Sequence, residues 1–430
     1  MAEQSLIYGL EDRPPLGRLL LYGLQWTLMT LPIVAISTNL AAEYLGYGGA
    51  MKAALGQRFL ILVGLTMILQ SGWGHRLPMI DGPAGALLLL FITLAPYGES
   101  TVRGAMIAGG VILALCSHLG LIRRLEVLFS TNMVGTVILL IAFATMPFVL
   151  PLALGKGPGH PLGDPWAAGM ALGVALLIPT LGHWLSGFPK SVSVFISLII
   201  GTGVFALSGR VESADISSVA WFGLPLPWPQ GAPSLDLPGL VAASLAYLVI
   251  VLNLKGSLAA VMSLVGGDGA ASRMKRGSAM FGWAGALAGL FGAYGPVSYA
   301  YSPGVILATG VGSRFATLTA GAIMLGLGFC AKLAALLTLV PLPVIAAAMV
   351  AAMSGQIGSG LNLLFEKRRT LEGRDYFIIG LPLLLGTLAS LISRDFIALL
   401  PSFVGPLVGN GMVVGLLCLI LLERLLLRKR

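Results

Sequence analysis

The sequence predicts an all-α polytopic membrane protein. Three observations predict it: a composition too apolar for a water-facing surface, a long series of apolar stretches, and basic residues concentrated in alternate loops. Of 430 residues, 57% are hydrophobic and 10% charged, with a mean hydropathy of +0.93. A soluble chain carries about 25% charged residues, so much of this surface has to face lipid. The 58 glycines suit helices that pack closely in a bilayer. The net charge of +9 would fit nucleic acid, but the hydropathy assigns the basic residues to membrane topology, and no nucleic-acid partner is expected. Cys116, Cys330 and Cys418 all lie in apolar runs without metal spacing and read as small buried fillers.

A helix needs roughly 20 apolar residues to cross a ~30 Å core. Apolar stretches run over 17–40, 54–72, 84–97, 103–120, 130–151, 166–185, 190–208, 238–265, 277–293, 304–312, 315–340, 343–360, 375–392 and 402–427. The first follows about 16 mixed residues with no cleavable signal, so insertion is expected through uncleaved helices. Fourteen spans with a cytoplasmic N-terminus place 18 of the 26 Lys and Arg inside, among them Lys367-Arg368-Arg369 and Arg428-Lys429-Arg430. Only 6 fall outside, and Lys255 and Lys332 remain within segments. That bias obeys the positive-inside rule and expects a multi-pass inner-membrane protein with both termini cytoplasmic.

The longest outer loop, from Ser208 to Pro238, holds Glu212, Asp215, Trp221 and Trp228 and falls at the midpoint of the chain. It divides the chain into two halves of seven spans, and an odd number makes the second half an inverted copy of the first. The third segment of each half, near 84 and near 304, is too short to span and follows a Gly/Pro-rich run. Paired interruptions in inverted halves point to a transporter binding site. Broken backbone at membrane depth leaves N–H and C=O groups without partners, which is tolerated only inside protein or along a cavity. Half-helix N-termini after Pro83 and Pro303 would offer free N–H groups to a polar planar ligand or an anion.

The polar residues near these breaks are the candidate site. Asp81 sits in the first break, where it would bind ligand, pair with Lys255, titrate, or cap the half-helix. Lys255 carries a charge at mid-membrane, which is costly unless functional or paired. Asn253 and Gln25 can hydrogen-bond a heterocycle edge or bridge two helices. Trp26, Tyr299 and Tyr301 can stack on a ring. Gly82, Ala84, Ser302 and Gly304 line the breaks themselves. His75, His118, His160 and His183 lie near segment ends without metal spacing, so no metal site is expected. Gly282, Gly285, Gly289 and Gly292 read as a small-residue packing face. No nucleotide-binding loop ending in Lys-Ser/Thr and no nucleophile constellation appears, which argues against ATP drive, a cofactor and an enzyme.

The run Tyr301-Ser302-Pro303-Gly304-Val305-Ile306-Leu307-Ala308-Thr309-Gly310, with Gly285-x-x-x-Gly289 and Val340-Pro341-Leu342-Pro343-Val344-Ile345, resembles the nucleobase–ascorbate transporter family, also called nucleobase–cation symporter-2, the xanthine/uracil permeases. The likeness covers about residues 15–425. Gly304, Thr309 and Gly310 fit the family pattern. The chain departs from it where Gln25-Trp26 replaces Gln-His, Asn253-Leu254-Lys255-Gly256 replaces Glu-x-x-Gly, and Tyr301-Ser302 replaces Glu-Asn. The resemblance implies short strands in segments 3 and 10 and a substrate between two moving parts, as in an elevator. Those parts are a core domain (17–125, spans 1–4; 238–341, spans 8–11) and a gate domain (126–208, spans 5–7; 342–427, spans 12–14). A cytoplasmic segment, 1–16, precedes them, and an extracellular linker, 209–237, joins the two halves.

The resemblance implies secondary transport of a nucleobase or similar small heterocycle, with Asp81 as the proton-coupling candidate left once both family carboxylates are gone. It implies contact with membrane lipid and a homodimer through the gate. It also reads Lys332 as structural. Two rivals keep the fold: a small-anion transporter, with the anion gripped by Lys255 and the half-helix dipoles, and an uncoupled facilitator.

Overall fold

The computed structural model describes residues 6–126, 130–157, 159–211, 219–229, 231–365, 371–401 and 403–427. The expectations placed on Glu212, Asp215, Lys367, Arg368, Arg369, Arg428, Lys429 and Arg430 lie outside these described residues.

The chain is built almost wholly of helices. The first half contains α1 (Leu16–Leu45), α2 (Gly49–Gly72), the three-residue strand β1 (Asp81–Pro83), α3 (Gly85–Leu94), α4 (Glu99–His118), α5 (Leu121–Glu126), α6 (Thr131–Ala153), α7 (Pro165–Trp184), α8 (Gly187–Ser191) and α9 (Ser193–Leu207). The second contains α10 (Leu237–Val265), α11 (Ala270–Leu290), strand β2 (Pro296–Ser298), α12 (Ser302–Thr309), α13 (Arg314–Gly328), α14 (Ala331–Thr338), α15 (Leu342–Phe365), α16 (Gly373–Ser390), α17 (Arg394–Leu399), α18 (Gly405–Val408) and α19 (Gly411–Leu421). Side-chain caps mark several starts: Ser130 accepts from the Met133 N–H, and Asp236 from the Gly239 N–H.

A helix stands at each of the fourteen apolar stretches. Seven of them (α1, α2, α4, α6, α7, α10 and α15) are long and apolar enough to cross a membrane, and an eighth if α13 and α14, bent by 90°, count as one span. The rest fall short for visible reasons. Helices α3 and α12 are half-helices, α9 has 15 residues, and α11 opens on Arg273, Lys275 and Arg276.

Helix contacts repeat between the halves. Helix α4 packs along α11 as α13 packs along α2, α10 lies on α4 as α1 lies on α13, and α6 packs on α15. Glycines set these distances. A Cβ on Gly64 would stand 2.4 Å from the Leu325 N of α13, and one on Gly110 would stand 2.5 Å from the Ala286 N of α11. Of the glycine face expected on span 9, Gly282 meets the backbone of α4, Gly285 meets the Tyr247 ring, and Gly289 meets Arg103 and Ile107. Gly292 lies past the end of α11, in a turn with φ +66°.

Two arginines serve this packing: Arg58 donates to the Phe291 carbonyl at 2.7 Å and Arg103 to the Gly231 carbonyl at 2.9 Å. Lys332 rests over the Trp221 ring, 4.6 Å from its centroid. Cys116, Cys330 and Cys418 are free and half-buried.

At the N-terminus, Ile7 and Tyr8 run beside Gly310–Gly312. The Ile7 N–H donates to the Gly310 carbonyl (2.8 Å), and the Gly312 N–H donates to the Tyr8 carbonyl (2.8 Å). Arg314 secures the segment by donating to Glu11 at 2.8 Å. That hydrogen bond holds the Glu11 carboxyl below the usual carboxylate range, against a smaller upward push from burial.

Candidate functional site

Pro78 and Pro83 forbid helix across the first break, and Gly295-Pro296 does the same in the second. Both breaks run extended and pair antiparallel, with Asp81 opposite Ser298, Gly82 opposite Val297 and Pro83 opposite Pro296. Because Pro83 and Pro296 have no N–H, the ladder is closed at its ends: the Ala84 N–H donates to the Gly295 carbonyl (3.0 Å) and the Tyr299 N–H to the Ile80 carbonyl (2.9 Å). Gly82 lets Tyr299 lie flat on the strand, since a Cβ there would stand 2.6 Å from the phenol oxygen. Tyr299 in turn donates to the Pro83 carbonyl at 2.9 Å and stacks on Tyr301, with centroids 5.2 Å apart and planes 14° apart.

Asp81 is fully buried behind this strand pair. The Ser298 hydroxyl donates to its Oδ1 at 2.5 Å, and Oδ2 faces His75 Nε2 at 3.4 Å. His75 Nδ1 accepts the Leu77 N–H at 3.0 Å, so in the neutral ring the proton sits on Nε2, toward the carboxylate. The Ser257 hydroxyl lies 3.2 Å from Asn253 Oδ1 and 3.4 Å from the Ser298 carbonyl, and the shorter contact favours Asn253. His75, Asp81 and Ser298 thus form one polar cluster, and Ser257 with Asn253 forms a second that touches it at the Ser298 carbonyl.

Asn253 opens into a cavity of about 380 Å³. One wall is formed by α1 (Met29, Pro32, Ser37), the start of α3 (Ala84–Ala86), Asn253 of α10, and Tyr299 and Tyr301. The other is formed by α6 (Ile141, Thr145), α7 (Ile178), Ser191 and Phe195, and α15 (Met349, Gln356, Ser359). The volume lies at the small end of ligand pockets, and the lining has their character: mostly apolar, with a few convergent polar groups. Among the described residues the lining includes no Lys, Arg, His, Asp or Glu.

Residues 17–394 match the model of the permease family (Xan_ur_permease). This chain belongs to that family. The permease is 28% identical over 397 residues to the nucleobase transporter PlUacP of Paenibacillus larvae, covering 91% of this chain and 89% of the relative. It is 26% identical to the xanthine permease of Bacillus subtilis (93% and 91% covered) and 25% identical to the uric acid transporter UacT of Escherichia coli (95% and 86% covered). Among solved structures, it is similar to the transmembrane domain of a cyanobacterium bicarbonate transporter, BicA. The TM-score is 0.67 at 17% identity, covering 90% of this chain and 98% of that one. It is also similar to murine Slc26a9, an anion transporter in the inward-facing state (TM-score 0.63, 14% identity, 96% and 69% covered). At such identities these two likenesses concern the fold alone.

In the permease, Ala84, Asn253 and Tyr301 line the cavity, while Asp81, Gly82 and Ser302 build the strand pair behind it. Ser302 accepts the Ile80 N–H at 3.1 Å and donates to the Tyr299 carbonyl at 2.7 Å. Asp81 does not cap α3: Ala84 occupies that position without a side-chain cap. Nor does Asp81 pair with Lys255, its contacts being Ser298 and His75. Lys255 is half-buried and lies off the cavity. Two residues along a helix turn the side chain by about 200°, so Asn253 and Lys255 face opposite ways. Trp26 is fully buried in the core and off the lining, and Gly304 also lies off it. Gln25 donates to Ser191 of α8 at 3.1 Å and touches the cavity only through that partner. The second-wall residues Phe195 and Gln356 carry no signal in sequence, since single residues in apolar helices look like packing. His75 has a faint one, a histidine six residues before the break aspartate.

Proposed function

We propose that this permease is a secondary transporter that carries a nucleobase or a similar small heterocycle across the inner membrane. One observation carries the reading: the stacked Tyr299–Tyr301 pair beside Asn253, on the wall of a closed-size cavity between two groups of helices. A flat ring stacks on such a pair at an offset, with a gain of about 0.5–1.5 kcal/mol beyond the area it buries. The activities of the relatives, nucleobase, xanthine and uric acid transport, agree with that ligand class. The small-anion reading draws nothing from the lining, which offers no cationic side chain among the described residues.

Transport by alternating access moves the core domain (α1–α4 and α10–α14) against the gate domain (α6–α9 and α15–α19), with the substrate between them. In this reading fourteen spans form two inverted halves, both termini are cytoplasmic, lipid covers the exposed apolar faces, and two copies meet through the gate. The exchange of contacts between the halves supports the inverted arrangement. Asp81, buried and hydrogen-bonded by Ser298 behind the cavity wall, is the proposed proton-coupling residue. Asn253, Tyr301 and Ala84 contact the substrate. Gly82, Ser302 and Gly304 shape the backbone beneath it, and Gln25, Trp26 and Lys255 act from outside the cavity.

The test is uptake of radiolabelled uracil, xanthine and urate into proteoliposomes with and without an inward proton gradient. Accumulation of a base that rises with the gradient is expected. Robust anion exchange with no uptake of any base would overturn the reading.

A further inference from the structure

The cavity holds few polar groups that the protein does not itself use. Ser37, Thr145 and Ser359 each return their hydroxyl to a carbonyl of their own helix, and Ser191 accepts from Gln25 while donating to Phe188. Asn253 spends its Oδ1 on Ser257, which leaves its Nδ2 hydrogens for the cavity. Gln356, on α15, is half-buried in the opposite wall, and its amide makes no hydrogen bond with the described protein. It reaches across to the first turn of α3, where its Nε2 lies 3.9 Å from the position of a Cβ on Gly85. The amide is thus free to meet a ligand, and a ring edge of matching polarity seated in the cavity takes up both its donor and its acceptor.

We infer that Gln356 is a specificity-determining residue: it reads the hydrogen-bonding edge of the heterocycle from the second wall while Asn253 donates from the first. The inference rests on the heterocycle reading above and adds to it the residue that chooses among heterocycles. A carboxamide carries both a donor and an acceptor, so it matches a ring edge where N–H and C=O stand side by side. Asn253 keeps both Nδ2 hydrogens for the cavity, and these take a carbonyl or an unprotonated ring nitrogen. The substrate class is an oxo-heterocycle with a lactam edge toward α15 and an acceptor toward α10. An amino group beside a ring nitrogen also sets a donor next to an acceptor, in the reverse order, so Gln356 ranks rings by whether both carboxamides find their complements in one pose. Discrimination of this kind is steep because the wrong ring strands a buried polar group.

The experiment measures dissociation constants of purified permease in detergent for uracil, xanthine, hypoxanthine, urate, adenine and cytosine, in wild type, Q356A, Q356M and Q356E. Ser354→Ala, on the exposed face of the same helix, is the control. Q356M keeps the length of the side chain without its amide and guards against a folding defect in Q356A. The expected result is a loss of about tenfold to a hundredfold for the preferred base in Q356A and Q356M, with smaller losses for the weaker-binding bases, so that the preference narrows. In Q356E, which only accepts when ionised, the rank order shifts toward rings with additional N–H donors. Unchanged rank order in all three variants, with binding unaltered or weakened equally for every base, overturns the inference while leaving the heterocycle reading intact. A wild-type protein that binds none of the six overturns both.

Discussion

His75 Nε2 faces Asp81 Oδ2 at 3.4 Å, with both side chains sealed from solvent. The carboxylate's other oxygen is already taken by Ser298, directly opposite in the strand register. Removing a buried carboxyl strands the polar groups packed around it, at about 1–3 kcal/mol for each group left unsatisfied. Asp81→Ala should therefore lower the unfolding temperature in detergent more than Ser298→Ala, which removes one hydrogen bond. Asp81→Asn keeps the shape and removes the titratable group. We expect it to retain base exchange between the two sides of a proteoliposome but to lose accumulation driven by a pH gradient. Gradient-driven uptake that survives in Asp81→Asn would remove Asp81 from coupling.

Gly82 and Tyr301 set the aromatic platform. A Cβ at position 82 meets the Tyr299 phenol at 2.6 Å, so Gly82→Ala should lift Tyr299 off its Pro83 contact and disturb the stack. Tyr301→Ala removes the outer ring, and loss of about 0.5–1.5 kcal/mol of stacking predicts a rise in the dissociation constant of several-fold to about tenfold. Titration of both variants with the transported base measures this, with Tyr301→Phe expected to bind nearly as wild type.

The close helix crossings make a different prediction. Gly110→Val places a side chain 2.5 Å from the Ala286 backbone and forces α4 from α11. Overpacking of this kind costs about 1–3 kcal/mol. Thermal unfolding followed by size-exclusion chromatography should show the loss, and Gly64→Val at the corresponding crossing of α2 and α13 should match it.

The N-terminal clamp is pH-dependent. Glu11 is held below its ordinary range in the folded protein by the Arg314 hydrogen bond. A depressed carboxyl stabilises the clamp above its unfolded value of about 4.3 and loses that contribution as pH falls through the folded value. Glu11 is exposed, so the contribution is small, about 0–1 kcal/mol. Amide-exchange protection of Ile7 and Gly312, normalised to intrinsic rates, should be unchanged from pH 8 to 5 and fall below about pH 4. Glu11→Gln should show the lower protection at every pH.

Reading the chain as a sequence located most of what is local. The two breaks were legible because Pro83, Pro296 and Pro303 remove N–H groups and the apolar stretches beside them are too short to span. Asp81 stood out because a carboxylate in an apolar chain is conspicuous, as did Asn253 and Tyr301 beside the second break. Lys255 was conspicuous for the same reason, yet it stands on the face of α10 opposite Asn253. Charge reports cost, and the direction of a side chain depends on the helix's rotation. His75 looked like a loop residue because its partner is six residues away across a turn. Gln356 was silent, since one amide in an apolar helix has no pattern.

The sequence by itself determined that the chain is a polytopic membrane protein with interrupted segments, because hydropathy, charge and proline act on the backbone residue by residue. Only the tertiary structure decided that the two breaks pair as strands, that Asp81 meets His75 and Ser298 in place of Lys255, and that α15 supplies the second wall with Gln356. The strand pairing and the Asp81–Ser298 contact join residues more than 200 positions apart, and the geometry of all three follows from helix rotation, chain reversal and close glycine crossings, which no local pattern encodes.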